Sequence, residues 1–204
     1  MRSERAEIDR IIAFSDAVFA VIITVLVLDL RPPEQASFSA LRGLWPTAVS
    51  YAVSYLFIAI VWVNHRHLFR YADAATTQLI WANFGHLFSV SLIPFSTAWI
   101  ADTHLAAVPV SLYAAVFMTV NVTYFLLCRE VIDRRDNDAV SDEARRMMRL
   151  RSLVTIALFA SASVVALLSP IAALALICFC LFLYLPPAAP VISPTQPSKG
   201  TGHA

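Results

Sequence analysis

Several stretches of about twenty residues carry no formal charge, and they constrain the solvent of this 204-residue chain more than any other feature. Residues 44–63, 79–101 and 105–128 contain no Asp, Glu, Lys or Arg, and the uncharged run 152–189 is longer still. A helix rises about 1.5 Å per residue and a bilayer hydrocarbon core is about 30 Å thick, so each twenty-residue run is one crossing long. The composition agrees: 59% of residues are hydrophobic and 14% charged, against roughly 25% charged in soluble domains.

The pattern predicts an all-α integral membrane protein with six transmembrane helices. The first covers about 10–30, interrupted by Ser15, Asp16 and Thr24 and closed by the breaker Pro32-Pro33. The second and third cover 44–64 and 79–101, and the fourth 105–128. The run 152–189 would be roughly 57 Å as one helix, about twice what a bilayer accepts. Ser169-Pro170 is the breaker near its middle, which predicts helices over 152–168 and 171–185. Residues 129–151 mix seven arginines with six acids, the pattern of a solvated connecting loop. One membrane domain is thus expected over 1–189, followed by a proline-rich tail, disordered over 190–204.

Thirteen of the fifteen Lys and Arg residues fall on one side if the amino terminus is cytoplasmic: three before the first helix, Arg66, Arg70, the seven of the loop, and Lys199. Only Arg31 and Arg42 fall on the other. Cytoplasmic loops are enriched in these residues, so both termini are expected inside, and an odd number of crossings would break the asymmetry. The first apolar run has no small-residue cleavage pattern, so the first helix is expected to remain.

Several functions are disfavoured. A net charge of +1 gives nucleic acid nothing to bind. Cys128, Cys178 and Cys180 lie in apolar runs without zinc-like spacing, and His65 and His67 diverge on a helix, so no metal site and no cofactor is expected. No nucleotide-binding loop, serine-histidine-acid set or zinc hydrolase motif is present, which argues against an enzyme. The Thr-Val-Gly-Tyr-Gly filter of common potassium channels is also absent.

Asp16 is the acid well inside a span, about 9 Å deep if Arg10 marks the interface. A membrane carboxylate costs roughly 2.5–3.5 kcal/mol unless it is partnered or lines water. The topology puts Trp62, Asn64, His65, Asn83 and His86 in the same leaflet. Such a cluster either locks helix packing through interhelical hydrogen bonds or handles ions and protons directly. On a helical wheel, Ala17, Val21, Thr24 and Leu28 share roughly a 60° arc, with Ser15 and Asp16 more than about 100° from its centre. That stripe reads as ordinary packing or as a pore face.

The run Arg10-x-x-x-Phe14-Ser15-Asp16, continuing through Thr24, resembles the first helix of the transmembrane protein 175 family of potassium channels. The likeness extends through Trp62-Val63-Asn64-His65-Arg66-His67-Leu68-Phe69, Asn83, Pro94-Phe95-Ser96-Thr97 and Leu112-Tyr113. The resemblance implies a homotetramer of six-helix subunits, as in bacterial members, embedded in a cell-membrane bilayer and passing potassium ions. It also implies a pore lined by the first helix, with a hydrophobic constriction at Val21, Val25 and Leu28 and Thr24 as the adjacent hydroxyl. Val21 stands where the family has a larger Leu or Ile, which implies a wider neck. The same resemblance assigns Arg10, Phe14, Ser15 and Asp16, with Asn83 and His65 or His86, to a polar network that holds the first helix. Two alternatives stay open: a proton-coupled or proton-conducting transporter using Asp16 and His86, and a noncatalytic membrane assembly protein.

Overall fold

The computed structural model describes residues 2–133 and 142–184, and among them every regular element is helical. In chain order these are α1 (Arg2–Leu28), α2 (Phe38–Gly43), α3 (Trp45–Phe69), α4 (Thr77–Ser91), α5 (Ile93–Asp102), α6 (Ala107–Cys128), α7 (Asp142–Ala166) and α8 (Pro170–Tyr184). A π-helical turn, Arg129–Asp133, prolongs α6. Among the described residues, five helical segments are long and apolar enough to cross a membrane: Glu4–Leu28, Trp45–Phe69, Thr77–Asp102, Ala107–Ile132 and Asp142–Ala166. A shorter apolar helix covers Pro170–Phe182.

The expected helix limits move in several places. Helix α1 begins eight residues before position 10, because Ile8 on its charged first turns is buried against Leu68, Phe69, Leu79, Leu127 and Val131. Helix α3 runs past residue 64 through Phe69, carried by the buried His65, Leu68 and Phe69, so the polar Asn64-His65-Arg66-His67 run lies within the helix. Ser37 caps the unforeseen α2 by accepting from the Ala40 amide at 3.2 Å.

The expected third helix, 79–101, is two helices. Pro94 lacks the amide that would reach back to Val90, and the chain turns at Leu92 between α4 and α5. Ser96 and Thr97 both donate to the Ile93 carbonyl, at 3.0 and 2.7 Å. Helix α6 begins at Ala107 because His104 and Leu105 take left-handed backbone conformations (φ 49° and 64°) that turn the chain between α5 and α6. The loop expected over 129–151 is helical at both ends, since α7 starts at Asp142. Its middle, 134–141, and the tail expected over 190–204 lie outside the described residues. Pro170 opens α8, where its missing amide costs nothing, and the Ala172 amide donates to Ser169 Oγ at 3.4 Å.

Helix α6 is the hub, packed by α4, α5, α7 and α8, while α1 lies against α3, α4 and α5. Small residues permit close approach of α6 and α7: Ala114, Ala162 and Ala166 are fully buried. Ser111 and Ser163 each donate to the other's carbonyl, at 2.8 and 3.0 Å. Phe57 and Phe117 stack with centroids 3.9 Å apart, and Phe159 meets both rings edge-on. A buried hydroxyl cluster ties α3, α5 and α6 together, with Ser54 Oγ 2.7 Å from both Thr97 Oγ1 and Tyr113 Oη.

Candidate functional site: the two faces of the first helix

Helix α1 turns one face inward and leaves the other bare. Ile8, Ser15, Phe19, Ile22 and Leu26 are buried, at spacings of three, four and seven residues that hold one side of a helix. On the other side Ala17, Val21, Thr24, Val25 and Leu28 are all exposed within this chain, Val21 by 59% and Leu28 by 79%. The hydroxyl of Thr24 donates to the Val21 carbonyl at 2.7 Å, so along this stripe its hydrogen returns to the helix. Much of the stripe's surface is therefore left uncovered by the other helices of the chain.

The inward face carries the polar groups. Ser15, fully buried, donates to the Ile11 carbonyl at 2.8 Å. It accepts from Asn83 Nδ2 of α4 at 3.0 Å, and Asn83 Oδ1 lies 2.8 Å from His65 Nε2 of α3. One asparagine thus joins three helices. The His65 ring also meets Phe19 edge-on and packs on Phe69.

Asp16, half-buried, is held separately: Trp62 Nε1 of α3 donates to its Oδ1 at 2.8 Å. The Arg66 guanidinium lies 5.4 Å above the Trp62 ring, a cation-π contact that steadies the indole. Trp62 is one turn before His65, so α3 presents indole and imidazole on one face to Asp16 and Asn83. Replacing Trp62 with Phe keeps the packing and removes the donor. A hydrogen bond to a charged group contributes about 1.5–3 kcal/mol, so thermal unfolding of purified Trp62→Phe should come several degrees early. Asp16→Asn should then cost less in that background than in the native chain; equal costs would mean the two side chains do not act together.

The other expected members are placed differently. Phe14 is half exposed and packs edge-on against Phe84 at 5.5 Å, beside the network rather than within it. Arg10 is exposed on the first turns of α1, and no hydrogen bond among the described residues joins it to Asp16. His86, fully buried, lies behind His65 with its ring nearly parallel, centroids 6.0 Å apart, and its Nδ1 is 3.1 Å from Thr123 Oγ1 of α6. Neither histidine bonds directly to Asp16. Thr123 escaped the sequence reading, although its spacing from Thr119 is that of a threonine bonding back along its own helix, as it does at 3.0 Å. The Ser54, Thr97 and Tyr113 cluster was equally unassigned. Among the described residues no group of three or more His, Cys, Asp or Glu side chains is arranged to hold a metal ion.

Residues 10–94 match the profile of the family described as "Endosomal/lysosomal potassium channel TMEM175". A potassium channel of Chryseobacterium sp. (strain P1-3) is 37% identical over 123 residues, covering 60% of this chain and 64% of that protein. The chain thus spans somewhat under two thirds of that relative's length. A potassium channel of Chamaesiphon minutus is 30% identical over 161 residues, covering 70% of this chain and 79% of that one. In three dimensions the chain superposes, with a TM-score of 0.78 and 25% identity, on the crystal structure of a lysosomal potassium-selective channel TMEM175 homolog from Chamaesiphon minutus. That superposition covers 88% of this chain and 96% of the other. These relatives, with the five long apolar helices, make this a multi-pass membrane protein, and the chain belongs to the TMEM175 family.

Proposed function

We propose that four copies of the chain surround a potassium-permeable pore in a bacterial cell membrane, with α1 from each copy facing the axis. The observation that carries this reading is the division of α1. Its Ser15 and Asp16 face is bonded to the subunit, while Val21, Thr24, Val25 and Leu28 are left for something outside it. Rings of Val21, Val25 and Leu28 would form a hydrophobic constriction that passes ions by wetting and dewetting. Such a neck favours the ion that sheds its hydration shell more readily, which is potassium rather than sodium. The relatives named as potassium channels support the same permeant ion.

In this reading the chain crosses six times, with α4 and α5 as one bent crossing and α7 and α8 as the final pair. Both termini then lie in the cytoplasm with the arginine-rich segment. Polar residues 15, 16, 62, 65, 83 and 86 serve as the clamp that fixes α1. A relay through Asp16 and His86 has less support, because Asp16 is bonded to Trp62 and His86 to Thr123.

Ion flux from liposomes containing the purified protein tests this directly, with potassium, sodium and proton gradients compared against a valinomycin reference. Potassium flux exceeding sodium flux is the expected result. Flux driven only by a proton gradient would replace the potassium reading with proton conduction. An inert protein that still assembles would leave an assembly role.

A further inference from the structure

Two cavities sit where the arginine-rich segment joins the apolar helices. The larger, with about 50 Å³ of free space, is walled by Leu68, Ile132 and Met148 and has Arg151 in its lining. That is several times the space one water needs. The smaller is lined in part by Phe125, Arg129, Arg145 and Arg149. Both share Cys128, Ile132, Met148 and Ser152, so they adjoin along one wall built from α6, its π-helical turn and α7. Four arginines thus line the pair, whereas the acids of the same segment, Glu130, Asp142 and Glu143, stand outside the lining.

The helices that hold these cavities also set their depth. Arg129 follows α6, and Arg145 and Arg149 stand on the first turns of α7, at the ends where Ala107–Ile132 and Asp142–Ala166 leave the hydrocarbon core. Lipid headgroups lie at that level. The Arg145 guanidinium donates to the Ile132 carbonyl at 3.1 Å, which holds it against a residue that lines both cavities. Arg129 and Arg149 are exposed. One turn further into the bilayer, Leu126 on α6 and Leu153 and Val154 on α7 are about half exposed within this chain, so apolar surface continues inward from the arginines.

We propose that this pair of cavities binds the headgroup of an anionic phospholipid, with the arginines on its phosphate and Leu126, Leu153 and Val154 under the start of its acyl chains. A guanidinium presents its N–H donors as a planar fork that matches phosphate two oxygens at a time. Basic pockets between membrane helices take anionic headgroups for this reason. A free phosphate would answer the charge and leave Leu68, Ile132 and Met148 facing water, whereas an amphiphile covers both. A zwitterionic lipid brings a cation of its own, which the four arginines repel. The bound lipid then joins Arg129 at the end of α6 to Arg145 and Arg149 at the start of α7, tying the hub helix to its neighbour at the membrane surface.

The test takes the full chain, purified in a neutral detergent and stripped of lipid, and measures binding by native mass spectrometry. The probes are phosphatidylglycerol, phosphatidylcholine with the same chains, and glycerol phosphate. Phosphatidylglycerol should bind about tenfold more tightly than either of the others. The double change Arg129→Gln with Arg149→Gln should weaken it about tenfold, since each arginine near a membrane surface contributes about 1 kcal/mol toward anionic lipid. Arg31→Gln with Arg42→Gln, near the far ends of α1 and α3, should leave it unchanged. Equal binding of phosphatidylcholine would overturn the proposal, as would glycerol phosphate binding as tightly as the lipid, which would mean a site for free anions. Equal losses in the two double variants would also overturn it, by showing diffuse attraction rather than a site. Should the first double variant not fold, Arg149→Gln alone, a change at an exposed position, decides in the same way. None of these signals depends on ion flux, so a chain that conducts nothing would still report on the lipid.

Discussion

Replacing Val21 with alanine is expected to raise sodium flux through the reconstituted protein about tenfold while leaving its assembly unchanged. Val21 is 59% exposed within this chain, so shortening it removes little from the fold. In the proposed fourfold ring the same change removes side-chain carbons at four places around one narrow neck. A barrier lowered by only about 1.4 kcal/mol gives a tenfold change in rate. Sodium should gain more than potassium, because a wider, wetter neck relaxes the demand for dehydration. Leu28→Ala is expected to act in the same direction. The comparison is flux in liposomes against an exposed α8 position such as Phe182→Ala, which should leave flux unchanged. Unaltered flux in both stripe variants would remove α1 from the ion path.

The second large effect is expected at Asn83. Asn83→Leu is close in size but ends the junction between α1, α3 and α4. His65 Nε2 would be left as a buried donor without an acceptor, a cost of about 1–3 kcal/mol. Membrane hydrogen bonds average only about 0.6 kcal/mol, so the stranded donor, more than the lost bond, should dominate. Thermal melting of the solubilised protein should fall by about 2–4 °C for each kcal/mol, and the surviving oligomer fraction should fall with it. Ser15→Ala should do less, since it strands one amide hydrogen of Asn83 and leaves the bond between Asn83 and His65 in place. If Ser15→Ala proved the more damaging, the network would be centred on α1 rather than on Asn83.

Much of this arrangement could be read before any coordinates. The uncharged runs located the long apolar helices because lipid tolerates few charges and a helix needs about twenty residues to span it. The wheel separated Val21 and Leu28 from Ser15 and Asp16 because the helical period is local, independent of what the helix packs against. What escaped were features set by distant contacts. Helix α1 extends back to Arg2 because Ile8 finds Leu68, Phe69 and Leu127, residues far along the chain. The bend at Leu92 was legible in Pro94, yet its hydroxyl bracing by Ser96 and Thr97 was not.

The polar cluster shows the same limit at the scale of single atoms. Depth in the membrane put Trp62, Asn64, His65, Asn83 and His86 in the same leaflet as Asp16, since rise per residue converts position into depth. It could not say that Asp16 takes the indole of Trp62 while Ser15 takes Asn83, nor that His65 stands in front of His86. Those choices depend on how α1, α3 and α4 are rotated about their own axes, and burial of large side chains such as Phe19 and Phe69 sets that rotation. The sequence by itself determined a helical membrane chain whose first helix carries an uncharged stripe and a polar pair on different faces, because hydrophobicity and helical period are properties of neighbouring residues. Only the tertiary structure decided which partner each polar atom meets, because hydrogen bonds require distances and directions that exist only once separate helices have packed.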